Sequence, residues 1–288
     1  FGEAAYTGNG GYGLITGADF EVGRNTGLIL SYRNYGKKLQ SIFGAGFGEQ
    51  SGTPGNEEGF YIGLEHNLSE RVSFSGYFDH FRFSAPRFQT RQPTSGFDWL
   101  GFLEIDVNPD LNLYGLLRFQ SKEEDYNATD HFGREIRLLS SDRRASGRVQ
   151  AEYQVHPKVR LRTRLDLNRT EPAGEETGWG FLVFQDLRVG VSRHLRIDAR
   201  ITLFETDGFD SRVYQFENDL LYVLSNRVLF DQGQRMYILL NYQPSRWLEF
   251  WLKLSTTLYE NRNVISSGLN QINGKRRSDM GIQARIRF

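Results

Sequence analysis

The chain closes on Met280-Gly281-Ile282-Gln283-Ala284-Arg285-Ile286-Arg287-Phe288, a stretch that alternates strictly. Met280, Ile282, Ala284, Ile286 and Phe288 share one face, and Gly281, Gln283, Arg285 and Arg287 share the other. A β-strand has a side-chain period of two, so this is one apolar and one cationic face. An all-apolar strand face ending on an aromatic residue is an aggregation liability in water. It makes physical sense when that face meets lipid and the strand takes part in closing a barrel.

Composition is compatible with that reading. The chain has 288 residues, no cysteine, and 35 basic against 35 acidic side chains. Balanced charge gives no bulk attraction to nucleic acid, and the lack of cysteine removes disulfides and thiolate metal sites. No run reaches the roughly 18 apolar residues of a membrane helix. A membrane barrel reads as polar on average, because only alternate residues face lipid. Gly (31), Phe (22) and Tyr (14) are abundant beside 7 Pro, a composition suited to long twisted strands and aromatic girdles. The start at Phe1, without methionine or signal peptide, is expected of a mature protein or a fragment.

The terminal pattern recurs upstream. In 159–168, Val159, Leu161, Thr163, Leu165 and Leu167 oppose Arg160, Arg162, Arg164, Asp166 and Asn168. In 195–203, Leu195, Ile197, Ala199, Ile201 and Leu203 oppose Arg196, Asp198, Arg200 and Thr202. In 247–259, Leu248, Phe250, Leu252, Leu254 and Leu258 oppose Glu249, Trp251, Lys253, Ser255 and Thr257. None of these has the three- and four-residue spacing of a helix. Noisier versions span 72–78, 99–107, 111–119, 145–155 and 179–189.

Connections alternate in length. Tight turns are expected at 23–25, 68–70, 108–110, 156–158, 192–194 and 244–246, and long polar stretches at 37–58, 85–96, 122–142, 170–177 and 261–276. Outer-membrane barrels segregate short periplasmic turns from long external loops in this way. If the last strand runs toward the periplasm, every short turn becomes periplasmic, provided that 207–234 contains no odd spanning strand. Since 213–225 looks strand-like, 207–234 is read as an external excursion, a hairpin above the membrane or folded into the lumen. The expected fold is an all-β antiparallel transmembrane β-barrel, a single domain over 1–288 with about 14 spanning strands. Phe1–Thr7 is short for a span of roughly 9–11 residues, as the tail of a longer strand would be.

A terminal Phe288 on an amphipathic strand resembles the C-terminal signature of bacterial outer-membrane barrels, which implies contact with the barrel-assembly machinery. Other segments resemble the C-terminal barrel region of large outer-membrane proteins bearing N-terminal helix-hairpin-helix repeats of the competence type. They are Phe1-Gly-Glu-Ala-Ala, Asn9-Gly-Gly, Leu30-Ser-Tyr-Arg-Asn-Tyr-Gly, Gly46-Phe-Gly-Glu, Tyr77-Phe-Asp-His-Phe-Arg-Phe, Phe216-Glu-Asn-Asp-Leu-Leu-Tyr and Ser266-Ser-Gly-Leu. The resemblance implies a C-terminal portion of a bigger barrel in the bacterial outer membrane, against outer-membrane lipid and lipopolysaccharide. The repeats themselves are absent here, so nucleic-acid binding is not carried over.

The candidate site is the charged face: Arg160, Arg162, Arg164, Arg196, Arg200, Arg285 and Arg287, interleaved with Asp166 and Asp198. Glu104, Asp106, Glu152 and Glu249 are expected on the same side. Rows of fixed cations can set anion preference in a pore. The alternative is a salt-bridged lattice that fills the lumen, since buried charges need partners. The functions that follow are a conduit for polar solutes or a polymer, or a docking barrel whose long loops hold a partner protein.

Catalytic, metal and cofactor sites have little support. His66 and His80 are the histidines placed to face one another across neighbouring strands, with Asp79 beside His80, but no spacing forces a triad. Metal binding by the same three is weakened because Asp79 and His80 alternate faces. Asp125, Asp130, Asp207 and Asp210 lack the order of an EF-hand, so solvated loops are the plainer reading. Gly44-Ala-Gly-Phe-Gly-Glu lacks the Lys-Ser/Thr of a phosphate loop. Phe78, Phe81, Phe83, Phe88, Trp99, Trp179, Tyr242, Trp247 and Tyr259 are expected mostly at the membrane interfaces. Beyond Phe78 the apolar phase flips, so either the strand has left the membrane or a bulge re-aims it. Aromatic and Arg side chains there suit sugar or protein binding, or packing against neighbouring loops.

Overall fold

Alternating sequence becomes antiparallel sheet throughout the computed structural model, which describes residues 1–40, 44, 46–50, 54–88 and 90–288. The early strands are β1 (Gly2–Tyr6), β2 (Tyr12–Val22), β3 (Thr26–Tyr35), β4 (Glu57–Ser69), β5 (Val72–Phe83) and β6 (Thr94–Asn108). Then come β7 (Leu111–Thr129), β8 (Glu135–His156), β9 (Val159–Glu171), β10 (Gly178–Gly190) and β11 (Leu195–Thr206). A hairpin of β12 (Val213–Glu217) and β13 (Ser225–Leu229) precedes β14 (Gln232–Ser245) and β15 (Leu248–Tyr259). The two-residue strands β16 (Val264–Ile265) and β17 (Ile272–Asn273) pair within the last loop, before β18 (Arg276–Ile286).

Fourteen strands share one sheet in sequence order, and β12–β13 and β16–β17 stand outside it. The excursion therefore contributes no strand to the main sheet, and β11 pairs directly with β14 from Leu195↔Tyr242 to Glu205↔Gln232. Its bounds are narrower than the sequence implies, because β14 already begins at Gln232. No helix among the described residues is long and apolar enough to cross a membrane. The fold is that of an antiparallel transmembrane β-barrel.

Contacts divide the chain into two compact units, one of 1–105, 116–146 and 170–177, the other of 106–115, 147–169 and 178–288. Within each, strands expose Leu, Ile, Val and aromatics on one face and bury polar and charged side chains on the other. In β18, Met280, Ile282 and Ile286 are exposed while Gln283 and Arg285 are half-buried, as the terminal alternation requires. This is the inverse of a water-soluble sheet, and apolar side chains on the outer face are stable only against lipid.

Three expectations need correction. The stretch 122–142 is not a long loop: β7 runs to Thr129, β8 starts at Glu135, and only 130–134 turns. Asp130 closes that turn by accepting the backbone N–H of Phe132 and of Arg134, each at 2.9 Å. Second, no bulge lies near Phe78. The register of β4 with β5 runs unbroken from Glu58↔Arg82 to Asn67↔Ser73, and shifts only between Asn67 and Ser69. Phe81 and Phe83 sit buried on the polar face, their rings 5.8 Å apart, with the Arg87 guanidinium 3.9 Å above Phe83. Third, Tyr259 marks no interface. It packs edge-on against Phe204 at 5.9 Å, beside the buried cluster of Leu182, Phe184, Val213 and Leu229.

Candidate functional site

In the second unit the seven candidate arginines lie on the polar faces of β9, β11 and the terminal strand. Each finds a carboxylate. Arg160 donates to Glu152 at 2.7 Å, Arg162 to Asp186 at 2.8 Å, and Arg164 to Asp166 at 2.9 Å. Arg196 lies 3.2 Å from Asp198, which also bonds Arg188. Arg200 donates to Asp186 at 2.8 Å. Arg285 bonds Glu249, and Arg287 lies 3.6 Å from the same carboxylate. Asp106 accepts from Asn112 at 2.8 Å.

The pairing is dense because of strand geometry. Same-face residues two apart on one strand, or opposite on neighbours, lie within reach of an arginine. Asp186 thereby serves Arg162 and Arg200, and Asp166 serves Arg148 and Arg164. Planar guanidinium forks also stack: Arg200 lies 3.7 Å over the Phe184 ring. Asp186, Arg188 and Arg148 carry as much of this lattice as the arginines singled out from sequence. The alternation places them on the polar face too, but Asp186 and Arg188 fall in the noisier 179–189 stretch.

The hairpin β12–β13 folds onto this polar face. Val213 and Leu229 are buried against Leu182, Phe184 and Phe204. Two side chains of that size contribute about 1.5–3 kcal/mol each when fully buried. Gly180 in β10 permits the approach, since a Cβ there would collide with the backbone carbonyl of Ser211. Further along, Leu220 and Leu221 cover Tyr237, Leu239 and Trp251, and Leu220 lies over Gly281 of β18.

Ionic contacts fasten the hairpin. Glu217 is 0% exposed and accepts from Arg235 Nε at 2.5 Å, Arg235 Nη2 at 2.9 Å and Lys253 Nζ at 3.2 Å. Asp219 accepts from Lys253 at 2.7 Å. Arg200 donates to the Phe216 carbonyl at 2.7 Å, and Thr202 to Gln215 at 2.9 Å. Burial works to raise the pKa of Glu217, but Arg235 and Lys253 more than offset it and hold the carboxylate below its usual range. Asp219 is likewise held low by Lys253 against the effect of burial. Glu217 and Asp219 are absent from the sequence-derived set because nothing local marks them. Their partners lie 18 and 36 residues away for Glu217 and 34 for Asp219.

In the first unit the polar face centres on Arg33, which donates to Glu57 at 2.6 Å and to Asp79 at 2.7 Å. The backbone N–H groups of Glu49 and Gln50 donate to Glu57 at 3.0 and 3.1 Å, bringing the loop onto this face. Of the glycine-rich stretch beginning at Gly44, Ala45 lies outside the described residues. Asp79 is thus engaged by arginine rather than histidine. His66 bonds Thr26 Oγ1 at 2.8 Å and stands opposite Phe74, while His80 stands opposite Phe60. The two histidines do not face one another. Among the described residues no group of three His, Cys, Asp or Glu is placed to hold a metal ion.

No protein-family model matches the chain. No curated protein sequence matches it either. Solved structures do. The chain is similar to the ferric-catecholate import receptor Fiu of E. coli, with TM-score 0.56 and 10% identity over 97% of this chain and 54% of that one. It is similar to the copper transporter OprC, with TM-score 0.56 and 10% identity over 88% and 44%. The ferric enterobactin receptor PfeA of Pseudomonas aeruginosa gives TM-score 0.50 and 8% identity over 99% and 58%. The likeness is one of fold, that of outer-membrane β-barrels, and the chain spans about half the length of these proteins.

Proposed function

We propose that the chain forms a barrel domain in the bacterial outer membrane and acts as a conduit for polar solutes or a polymer, alone or within an uptake or export machine. The observation that carries this is the polar strand face in each unit, lined by paired guanidinium and carboxylate groups, behind an apolar face suited to lipid. The transport roles of Fiu, OprC and PfeA accord with it. The outer face meets lipid and lipopolysaccharide, and the terminal strand with Phe288 serves barrel assembly. Strands beyond this chain complete a larger barrel, in keeping with the resemblance to proteins bearing helix-hairpin-helix repeats.

One observation favours a second reading, a docking barrel with a plugged interior. The hairpin 207–231 fills space against the polar face, and all seven candidate arginines have acidic partners. Planar-bilayer recording separates the two. A conduit gives discrete conductance whose ion preference changes in Arg162→Ser/Arg164→Ser. A purified barrel with neither conductance nor solute flux sinks the conduit and leaves the docking reading standing.

A further inference from the structure

Among the described residues, five cations on the strand walls are buried: Arg33, Arg164, Arg200, Arg235 and Lys253. Three of them have a bonded carboxylate on the wall itself. Arg33 bonds Glu57 and Asp79 of β4 and β5, Arg164 bonds Asp166 of its own strand, and Arg200 bonds Asp186 of β10. Arg235 and Lys253 differ. Among the described residues, each carboxylate bonded to them belongs to the hairpin: Glu217 for both, and Asp219 for Lys253. On the wall side their bonded and stacked partners among the described residues are neutral, the Thr257 hydroxyl at 2.8 Å from Arg235 and the Tyr237 ring 4.9 Å from Lys253.

Lift the hairpin and β14 and β15 present a guanidinium and an ammonium that no carboxylate among the described residues bonds. Arg200 then also loses the Phe216 carbonyl that its Nη1 bonds. A wall does not need two uncompensated cations for its own stability, since a buried charge without a partner is costly. Such a set is an anion site, and the hairpin fills it with two carboxylates two residues apart, Glu217 at the end of β12 and Asp219 just beyond it.

We propose that Arg235 and Lys253, flanked by Arg200, form a binding site for a polyanion bearing neighbouring phosphate or carboxylate groups, and that Glu217 and Asp219 occupy it as a tethered competitor. Ligand binding and hairpin seating are mutually exclusive, so an anionic solute displaces the hairpin by mass action. The hairpin has the features of a movable part. Its end strands are short, its own ladder is five residue pairs, and it returns to β14 through Asp231 at φ 64°. This inference rests on the conduit reading for its purpose, but not for its measurement.

The probe is tripolyphosphate, and the first measurement uses the unaltered chain folded in detergent. Arg212 and Arg227 lie within the excursion and are trypsin sites, so cleavage there reports hairpin release. Tripolyphosphate is expected to speed cleavage by roughly tenfold over sodium chloride of matched ionic strength, because proteolysis follows the population of the open form. Equal rates in the two salts would mean screening alone and would overturn the site. The second measurement is calorimetric titration of tripolyphosphate into Glu217→Gln/Asp219→Asn, with tighter binding expected than in the parent chain and loss of binding when Arg235→Gln and Lys253→Gln are added. Unchanged affinity in the first variant, or retained binding in the second, would also overturn it. Should the variants fail to fold, the proteolysis of the parent chain decides. A barrel that conducts nothing yet releases its hairpin to tripolyphosphate fails as a conduit while keeping the anion site.

Discussion

Two segments lie against the polar faces, one in each unit, and they are held by opposite logics. In the first unit the wall is electrostatically complete. Glu57 and Asp79 already neutralise Arg33, and residues 49–50 add backbone N–H groups to a carboxylate that has its cation. In the second unit the wall is incomplete, and the hairpin supplies the acids that Arg235 and Lys253 lack. A loop that only adds hydrogen bonds contributes to order. A segment that brings the counter-ion is part of the charge balance, and its removal leaves buried cations behind. Lys122 with Glu49 is the nearest parallel in the first unit, but that pair is part-exposed, so solvent shares its cost.

The sharpest way to break this contrast is to remove the acid on each side. Glu217→Ala should destabilise the folded barrel by about 3–5 kcal/mol, the usual result of stripping one partner from a buried pair. Glu57→Ala leaves Arg33 with Asp79, and should cost about 1–3 kcal/mol, the scale of lost hydrogen bonds to a charged group. Urea unfolding of the two variants in the same detergent checks this, and equal losses would erase the distinction.

A smaller effect tests the seating of the hairpin without touching a charge. Gly180→Ala pushes a methyl into the Ser211 backbone carbonyl, which cannot rotate away as a side chain would. Overpacking of this kind costs about 1–3 kcal/mol. Faster trypsin cleavage at Arg212 with unchanged protection of the β3–β5 region is the expected pattern. Uniform loss of protection would mean that the absent side chain at Gly180 serves the packing of the sheet as a whole rather than the seat of the hairpin.

Acid gives the smallest effect at accessible pH. Glu217 and Asp219 have folded pKa values below their ordinary 4.5 and 3.8. Their contribution is therefore complete above the unfolded values and is lost as pH falls through the lower folded ones. Amide exchange across 213–229 should be flat from neutral pH down to about 4.5 and then accelerate after correction for intrinsic rates. Loss of protection beginning well above that pH would mean that another group holds the hairpin.

Much of the architecture can be read from alternation. The terminal strand, the fourteen-strand count and the exceptional status of 207–234 need only a period of two and a parity argument. The reading fails where contrast between faces disappears. Across 122–129 both faces of β7 are largely polar, and at 135–142 the brief alternation of Ile136 and Leu138 with Glu135 and Arg137 is broken by Leu139 and the polar run after it, so the ladder continues with little hydrophobic signal to announce it. Around Phe81 and Phe83 the alternation persists, but the polar face turns aromatic, which imitates a change of phase.

Sequence by itself determined which residues share a face, because the pleat sets that locally and lipid enforces it along every strand. It therefore determined the class of fold and the arginine-rich face to which Arg285 and Arg287 belong. Only the tertiary structure decided which acid neutralises which cation. Glu217 reaches Arg235 and Lys253 because the hairpin folds back over β14 and β15, and no local pattern encodes a contact between residues so far apart in the chain. Charge balance at a buried wall is a property of space, and strand period carries no information about it.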